Sequence, residues 1–508
     1  MEELLELVTS GVKLDFIHVA NAMNKLARVA KRGTGEHSLK LEGKRLSRDP
    51  RYAQLIDLVR VHCPSFRAQA GANVLHALGV LQADLGATAV DERLATQLGG
   101  FVERRTSEMN PQNVANTLNA LCKLEAAAAA VTSSGWVGLA EAAERTASEM
   151  KPQEIANSLN ALCKMEAAAA AMSPTGWMGL AEAAERTASE MNSQEIANSL
   201  NALSKIKAAA AVVSPSGWKR LVEAAERTAR EMNPQGIANS LNALSKLEAA
   251  AAAVTSSGWV GMAEAAERTA SEMNLQAVGN SLNALSKIKA AAAAVSSSGW
   301  VGLAEAAERT ASEMNPQEIA ISLNALSKIE AAAAAVSPAG WVGLVEAAER
   351  TASEMDPQNV GNTLNALSNI KAAAAVVSTA GWKRLAEAAD RTASEMNPQN
   401  VGNTFNALSK IEAAAAVVSP SAWKRLAEAV ERTAIEMNPQ NVANSMDALG
   451  VLPKAAADLS LSSRKNLQAA AEREAPNMNS YEREATLRGC EKLNLRIPNA
   501  ILDSDQFR

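Results

Sequence analysis

The residues best placed to do chemistry are amides and lysines. Gln153, Asn160 and Lys164 recur as Gln194, Asn201 and Lys205, and again as Gln235, Asn242 and Lys246. The series continues through Gln276, Asn283 and Lys287, then Gln317, Asn324 and Lys328, and returns at Gln399, Asn406 and Lys410. Carboxamides carry a donor and an acceptor together, which suits them to base edges. A lysine beside them attracts phosphate. The chemistry offered is recognition along a surface, not bond making.

Catalysis finds little support in the same residues. The four histidines, His18, His37, His62 and His76, all lie near the N-terminus at unrelated positions. No glycine-rich phosphate loop and no nucleophile motif is present. Carboxylates such as Glu144 and Glu149 return in every unit, which marks a surface and not a single site. Cys63, Cys122, Cys163 and Cys490 match no zinc spacing. Cys122 and Cys163 stand where later units carry Ser204, Ser245 and Ser286, and read as small interior residues of a reducing compartment. The expectation is a protein that is not an enzyme and holds neither metal nor cofactor nor small-molecule substrate.

The elements that must position these groups are set by tryptophan. Trp136, Trp177, Trp218, Trp259, Trp300, Trp341, Trp382 and Trp423 stand 41 residues apart. Such a period signals a solenoid or a propeller, and without strand alternation or hairpin turns the propeller falls away. A composition of 47% hydrophobic residues with only 3% aromatic, much of it alanine, favours helix. The predicted fold is all-α, a right-handed α-α superhelix of 41-residue two-helix repeats.

The first helix of each unit opens at Ser-Pro steps such as Ser173-Pro174, Ser214-Pro215, Ser337-Pro338 and Ser419-Pro420, with Ser as cap and Pro at the first turn. Trp177, Leu180, Ala181 and Ala184 form its apolar stripe. The second helix opens at Asn-Pro, as in Asn110-Pro111, Asn315-Pro316 and Asn397-Pro398, or at Asp356-Pro357. It buries Ile196, Ala197, Leu200 and Leu203 and is expected to run on into the alanine tract. Near-identical repeats span 101–450. Divergent copies occupy 1–100, including Phe16–Leu26 and Ala68–Leu78, and a degraded capping copy lies in 451–508. Residues 31–51, rich in glycine and basic residues, read as a flexible insertion.

Numbered from its proline, the second helix gathers positions 2, 6, 9 and 13 within about 60° of arc, away from the apolar side. Stacked repeats turn this stripe into a ribbon. Asn157, Asn198 and Asn239 at position 6 lie at its edge, where stacked amides can form a ladder between repeats. Positions 2, 9 and 13 read as recognition residues. Position 3 varies among copies as Asn113, Glu154, Glu195, Gly236, Ala277, Glu318, Asn359, Asn400 and Asn441, and is the natural discriminator if each unit reads one base. Position 15 alternates between acid and base from Glu125 to Glu412, and the residues after Trp switch between Val-Gly and Lys-Arg. The first helix adds an arginine column, Arg145, Arg186, Arg227, Arg268, Arg309, Arg350, Arg391 and Arg432. Each follows an acidic residue, and pairs such as Glu141 with Arg145 read as a solvated ion-paired face.

Bulk properties pull the other way. A net charge of −5 is no polyanion-binding signature. No stretch is apolar for long enough to read as a membrane span. The acidic start Met1-Glu-Glu-Leu is neither a secretory signal nor a transit peptide, which points to a cytoplasmic protein or to a chain without its true N-terminus.

The run Met109-Asn-Pro-Gln-Asn-Val-Ala-Asn-Thr-Leu-Asn-Ala-Leu-Cys-Lys-Leu-Glu resembles the core of the octotricopeptide repeat family, whose helix reads like PQxLANxLWALAKL. Phe16 to Val29, followed by Asp49-Pro-Arg-Tyr-Ala-Gln-Leu, is similar to the region preceding such arrays in algal organelle proteins. The resemblance extends from about Phe16 to Leu493. It implies an α-solenoid that binds single-stranded RNA in a chloroplast or mitochondrion and governs transcript stability, processing or translation. Two departures stand out: Asn replaces the family's Trp at position 9, and the period is longer than usual. The motif LNALSK also resembles SKWP-type repeats of secreted plant-pathogen effectors, with Ser204-Lys205-Ile206 where Trp-Pro is expected. That resemblance implies a protein-binding scaffold.

Overall fold

A computed structural model describes residues 2–10, 12–30, 36–87 and 90–502. Among them there are helices and turns and no strands, and the helices recur in tandem as packed repeats, an all-α solenoid. No helix is long and apolar enough to cross a membrane among the described residues. The chain divides into two compact units, Met1–Met232 with Asn242–Gly261, and Asn233–Leu241 with Met262–Arg508.

In the first unit a repeat begins with a long helix such as Pro174–Thr187. Ser173 caps it, its hydroxyl accepting from the Gly176 amide at 2.8 Å. The helix tightens into a 3₁₀ turn, Ala188–Glu190, and the chain bends at the buried Met191. An amide-bearing helix, Ser193–Leu203, follows under the Asn192 cap. Long helices pack on long helices and amide helices on amide helices, giving two layers with the apolar stripes between them. The second unit repeats the pattern with long helices Ser297–Thr310, Pro338–Thr351, Thr379–Thr392 and Pro420–Thr433.

The alanine tract does not prolong the amide helix. It forms a short third helix, Glu166–Ala171 in one repeat and Lys207–Val212 in the next. The break falls at Met165 (φ −118°, ψ 99°) and Ile206 (φ −101°, ψ 89°), where the chain turns. At this position Leu124 and Ile206 are buried. The short helix then packs on the long helix of its own repeat. Only one alanine of each tract is buried, such as Ala168, Ala209 or Ala332.

The weak terminal copies extend the layers. Phe16–Ala30 packs on Ala68–Gly79, which packs on the amide helix Pro111–Leu121. At the other end Ser480–Leu493 packs on Pro439–Val451. The expected insertion is mostly helix: Glu36–Ser47, held by the buried Leu46, then Pro50–His62 under the Asp49 cap. Residues 31–35 of that stretch lie outside the described residues.

Successive repeats are locked by two charged residues of the long helix. Arg186 donates backward to the Met150 carbonyl at 2.9 Å, and Arg227 to that of Met191 at 2.9 Å. Arg309, Arg350, Arg391 and Arg432 do the same to Met273, Met314, Met355 and Met396. The preceding glutamate bonds forward: Glu185 accepts from the amide and hydroxyl of Ser214, both at 2.8 Å. This corrects the expected ion-paired face, since no pair joins Glu141 to Arg145 among the described residues. Arg145 instead reaches the Thr106 and Met109 carbonyls at 3.1 Å. Even the divergent ends keep the lock, with Arg105 on the Phe66 carbonyl and Arg473 on that of Met437.

Candidate nucleic-acid interface

The outer face of the amide layer carries the residues singled out above, and its repeats differ little from one another. Position 2 lies in the first helical turn and is exposed in both units: Gln153 and Gln194 in the first, Gln235, Gln276, Gln317 and Gln399 in the second. Position 13 stands at the end of the helix or two residues past it and is exposed too, at Lys164, Lys205 and Lys246, then Lys287, Lys328 and Lys410. A cation at a helix C-terminus also suits the exposed carbonyls there.

Position 9 sits deeper. Asn160, Asn283, Asn324 and Asn406 are half-buried, and Asn201 and Asn242 are buried. One amide of this column bonds the next: Asn406 Nδ2 donates to Asn365 Oδ1 at 3.1 Å. One rung of the kind expected at position 6 is therefore seen at position 9. Position 6 is half-buried throughout, as at Asn157 and Asn198, and Ile321 replaces the amide once.

Position 3 has a different task from the one expected. Glu154 Oε2 accepts from the Lys151 amide at 2.8 Å, Glu195 from that of Asn192 at 2.9 Å and Glu318 from that of Asn315 at 3.0 Å. These are capping boxes, which satisfy free amides at the helix start. Asn113 and Asn400 fold back in the same way, and Asn359 and Asn441 take the N-cap bond on their own amides. Asn113, Gly236, Ala277, Asn359, Asn400 and Asn441 are buried. A buried capping residue is not an exposed discriminator, so the one-base-per-unit assignment to position 3 is corrected.

Four lysines of this column, Lys164, Lys205, Lys287 and Lys328, stand without acidic partners among the described residues. Partial burial, and then the charge of Lys287, hold the Lys328 ammonium below its ordinary value. Lys410 reaches sideways to Asn369 Oδ1 at 3.4 Å, because position 13 of that neighbouring repeat is an amide. Beneath the lysines runs a column of small residues, each returning a bond to its own helix: Ser204 to the Asn201 carbonyl at 2.8 Å and Cys163 to that of Asn160 at 3.2 Å. Cys122 and Cys163 are half-buried, not interior. Burial pushes the Cys163 thiol up, against the pull of Lys205 and Lys164.

At the N-terminal end of the first unit this face dips into a polar cleft of about 210 Å³. Asn24 and Arg28, Asn73 and His76, Gln112 and Asn116, and Gln153 and Asn157 line it from four successive amide-layer helices, with Ala115 and Glu154 beside them. Asn24, Arg28 and Asn73 were absent from the residues first singled out. Their signal is the weak alignment of Phe16–Leu26 and Ala68–Leu78 with the amide helix.

Seven segments match the model of a family described as "Protein of unknown function (DUF1601)": residues 92–118, 139–159, 180–200, 219–241, 302–323, 383–405 and 423–446. Each runs from a long helix through the 3₁₀ corner into an amide helix, the stretch that carries the backward and forward locks. No curated protein matches the chain. Among solved structures, the yeast protein Rmd9p in complex with a 16-nucleotide target RNA is similar at 12% identity. The match covers 94% of this chain and 95% of that one, with a TM-score of 0.32. SYS-1 matches at 10% identity over 94% and 99%, with a TM-score of 0.33. The karyopherin Kap121p bound to the C-terminus of the phosphatase Cdc14p matches at 11% identity over 94% and 54%, with a TM-score of 0.25. Likeness at this level assigns no partner to the present chain.

Proposed function

We propose that the protein binds single-stranded RNA along the outer face of its amide helices, as a repeat adaptor and not as an enzyme. The observation that carries this reading is the face itself: exposed glutamines and deeper asparagines beside Lys164, Lys205, Lys287 and Lys328, which no carboxylate pairs among the described residues. Partial burial, and then the Lys287 charge, disfavour the protonated Lys328, a cost that a bound anion would relieve. Amides deep in the face and cations at its edge match bases pointing inward with phosphates outside. The cleft lined by Asn24, Arg28, Asn73 and His76 offers the same chemistry in concave form. The organellar setting, and a role in transcript stability, processing or translation, belong to this proposal through the octotricopeptide resemblance alone.

The test is fluorescence titration of the full chain with a pool of short single-stranded RNAs at two salt concentrations. Binding that weakens with salt is expected. Changing Lys164, Lys205, Lys287 and Lys328 together to Ala should flatten the logarithmic salt slope by about 3, at about 0.7 per single-strand phosphate contact. An unchanged slope and affinity in that variant would remove the amide face as the RNA site. No binding at low salt would leave the reading to a protein partner, the role implied by the effector resemblance.

A further inference from the structure

The long-helix face carries a second set of sites. In most repeats the residues after Trp are Val-Gly or Met-Gly, but Trp218, Trp382 and Trp423 are followed by Lys-Arg. Where Arg220 enters, a cleft of about 350 Å³ opens between successive long helices, lined by Arg186, Arg220 and Arg227 with Glu185, Glu223 and Ser189. The second unit holds the same cleft, about 450 Å³, at Arg350, Arg384 and Arg391 with Glu349, Glu387 and Ser353. Each residue of the second set stands 164 positions after its counterpart, four repeats on.

Each cleft sets three guanidinium groups against two carboxylates. Glu185 is already held by the amide and hydroxyl of Ser214, both at 2.8 Å, and Glu349 by those of Ser378 at 2.9 and 3.0 Å. Glu223 and Glu387 lie 3.9 Å from Lys219 and Lys383. Arg186 and Arg227 spend one nitrogen each on neutral carbonyls and keep the rest of their donors. Arg220 makes no ion pair among the described residues, whereas Arg384 is loosely paired at 3.7 Å with Glu349, a carboxylate already shared with Ser378. Three guanidinium groups converging on one space fit a tetrahedral dianion. A single carboxylate would add little to what the two lining glutamates already supply.

The third copy is a built-in control. It has all the same residue types, Arg391, Ser394, Arg425, Glu428 and Arg432, except that Asp390 replaces the glutamate. Asp390 grips Arg425 through both oxygens, at 2.5 and 2.6 Å, and so occupies it.

The column that leads to each cleft is apolar. Val137 and Met178, 46% and 44% exposed, precede the Arg220 cleft, and Val301 and Val342, 44% and 41% exposed, precede the Arg384 cleft. Exposed apolar side chains beside an arginine site suit a peptide better than a nucleic-acid backbone.

We propose that each arginine cleft receives the phosphoryl group of a phosphoserine- or phosphothreonine-bearing segment of a partner protein, whose apolar side chains lie on the adjoining Val and Met column. The proposal is independent of the amide face. It is tested by probing oriented degenerate peptide libraries with the full chain, the central residue being phosphoserine, phosphothreonine, serine or glutamate. Retention on the phosphorylated libraries alone is expected, with competition by inorganic phosphate and two peptides bound per chain. Arg220→Ala with Arg384→Ala should lower retention by about tenfold or more. Both sites tolerate small residues, since sibling repeats carry Gly138, Gly179 and Gly302 there. Arg425→Ala should change nothing, whereas Asp390→Ala should free Arg425 and raise the stoichiometry to three. Equal retention on serine or glutamate libraries, or retention untouched by the double variant, would overturn the proposal. So would capture of single-stranded RNA through the arginines in place of phosphopeptide.

Discussion

The two faces of the repeat use similar residues for opposite ends. On the long helices the adjoining acid and Arg, such as Glu185 and Arg186, look like surface charge, yet both are committed to neighbouring repeats. On the amide helices, Lys164, Lys205, Lys287 and Lys328 stand at regular intervals and make no ion pair among the described residues. Where a charged side chain meets a backbone group 29 to 39 residues away it is part of the fold. Where it meets only water it is available to a partner. Regular recurrence alone does not separate the two.

The sharpest way to test the structural side is to remove its filler. Trp259 is 6% exposed, and its counterpart Trp136 lines a narrow gap with Leu118, Leu162 and Met172, drawn from two repeats. Trp259→Ala should cost about 3–5 kcal/mol, read as a loss of thermal or denaturant stability. Unchanged unfolding would end the packing role.

A second break is finer, because the molecule already contains its own rescue. A Cβ on Gly340 would fall 2.1 Å from the Glu308 carboxyl, and the same collision awaits one on Gly217, Gly258, Gly299 or Gly381. In the one junction where the acid is shortened to Asp390, the glycine becomes Ala422. One methylene has moved across the interface. Gly340→Ala alone should therefore cost about 1–3 kcal/mol of overpacking, and Glu308→Asp in the same chain should return part of it. Additive effects of the two changes in denaturant unfolding would break the coupling.

These junctions also show why the fold was legible in the sequence and part of the site was not. The tryptophan period, the Ser and Asn caps and the apolar stripes are local signals, and each maps onto an observed element. The forward reach of Glu185 to Ser214 is not local. Within one helix, Glu141 and Arg145 satisfy the spacing of an ordinary i,i+4 pair, and nothing in the helix reveals a better partner in the next repeat. Position 3 misled for a related reason. A helical wheel treats every residue as radial, whereas side chains in the first turn, such as Glu195, fold back to the cap. The alanine tract misled by propensity: alanine extends helices, but the turn at Ile206 takes precedence. Positions 2 and 13 lie as the wheel places them, because nothing competes for them.

The comparison sharpens when one cation is removed from each face. Arg309 donates to the Ala270 and Met273 carbonyls at 3.2 and 3.0 Å. Arg309→Ala should cost about 1.5–3 kcal/mol, the range for bonds to charged groups, because two carbonyls lose their donor. Lys328→Ala should stay within about 0.5 kcal/mol, as surface changes do. Equal losses in the two variants would show that the amide face is structural as well.

The smallest effect is a pH dependence at two junctions of the long helices. The Ser173 hydroxyl, donating at 2.7 Å, and then that of Thr175 hold the Glu144 carboxyl below its ordinary value of 4.5. Ser460 and then Ser463 do the same for Glu431. A carboxyl whose folded value is depressed contributes stability that is complete above its unfolded value and is lost as the pH falls through the folded one. The locks of Glu144 and Glu431 should thus hold at neutral pH and loosen below about pH 4.5, the ordinary carboxylate value. Glu144→Gln keeps the shape but not the titration, so its unfolding midpoint should fall less between pH 6 and pH 3.5 than that of the parent chain. The difference is a small one per junction, since these groups sit near solvent. An identical acid profile in the two proteins would show that the serine bonds do not depend on the charge of Glu144.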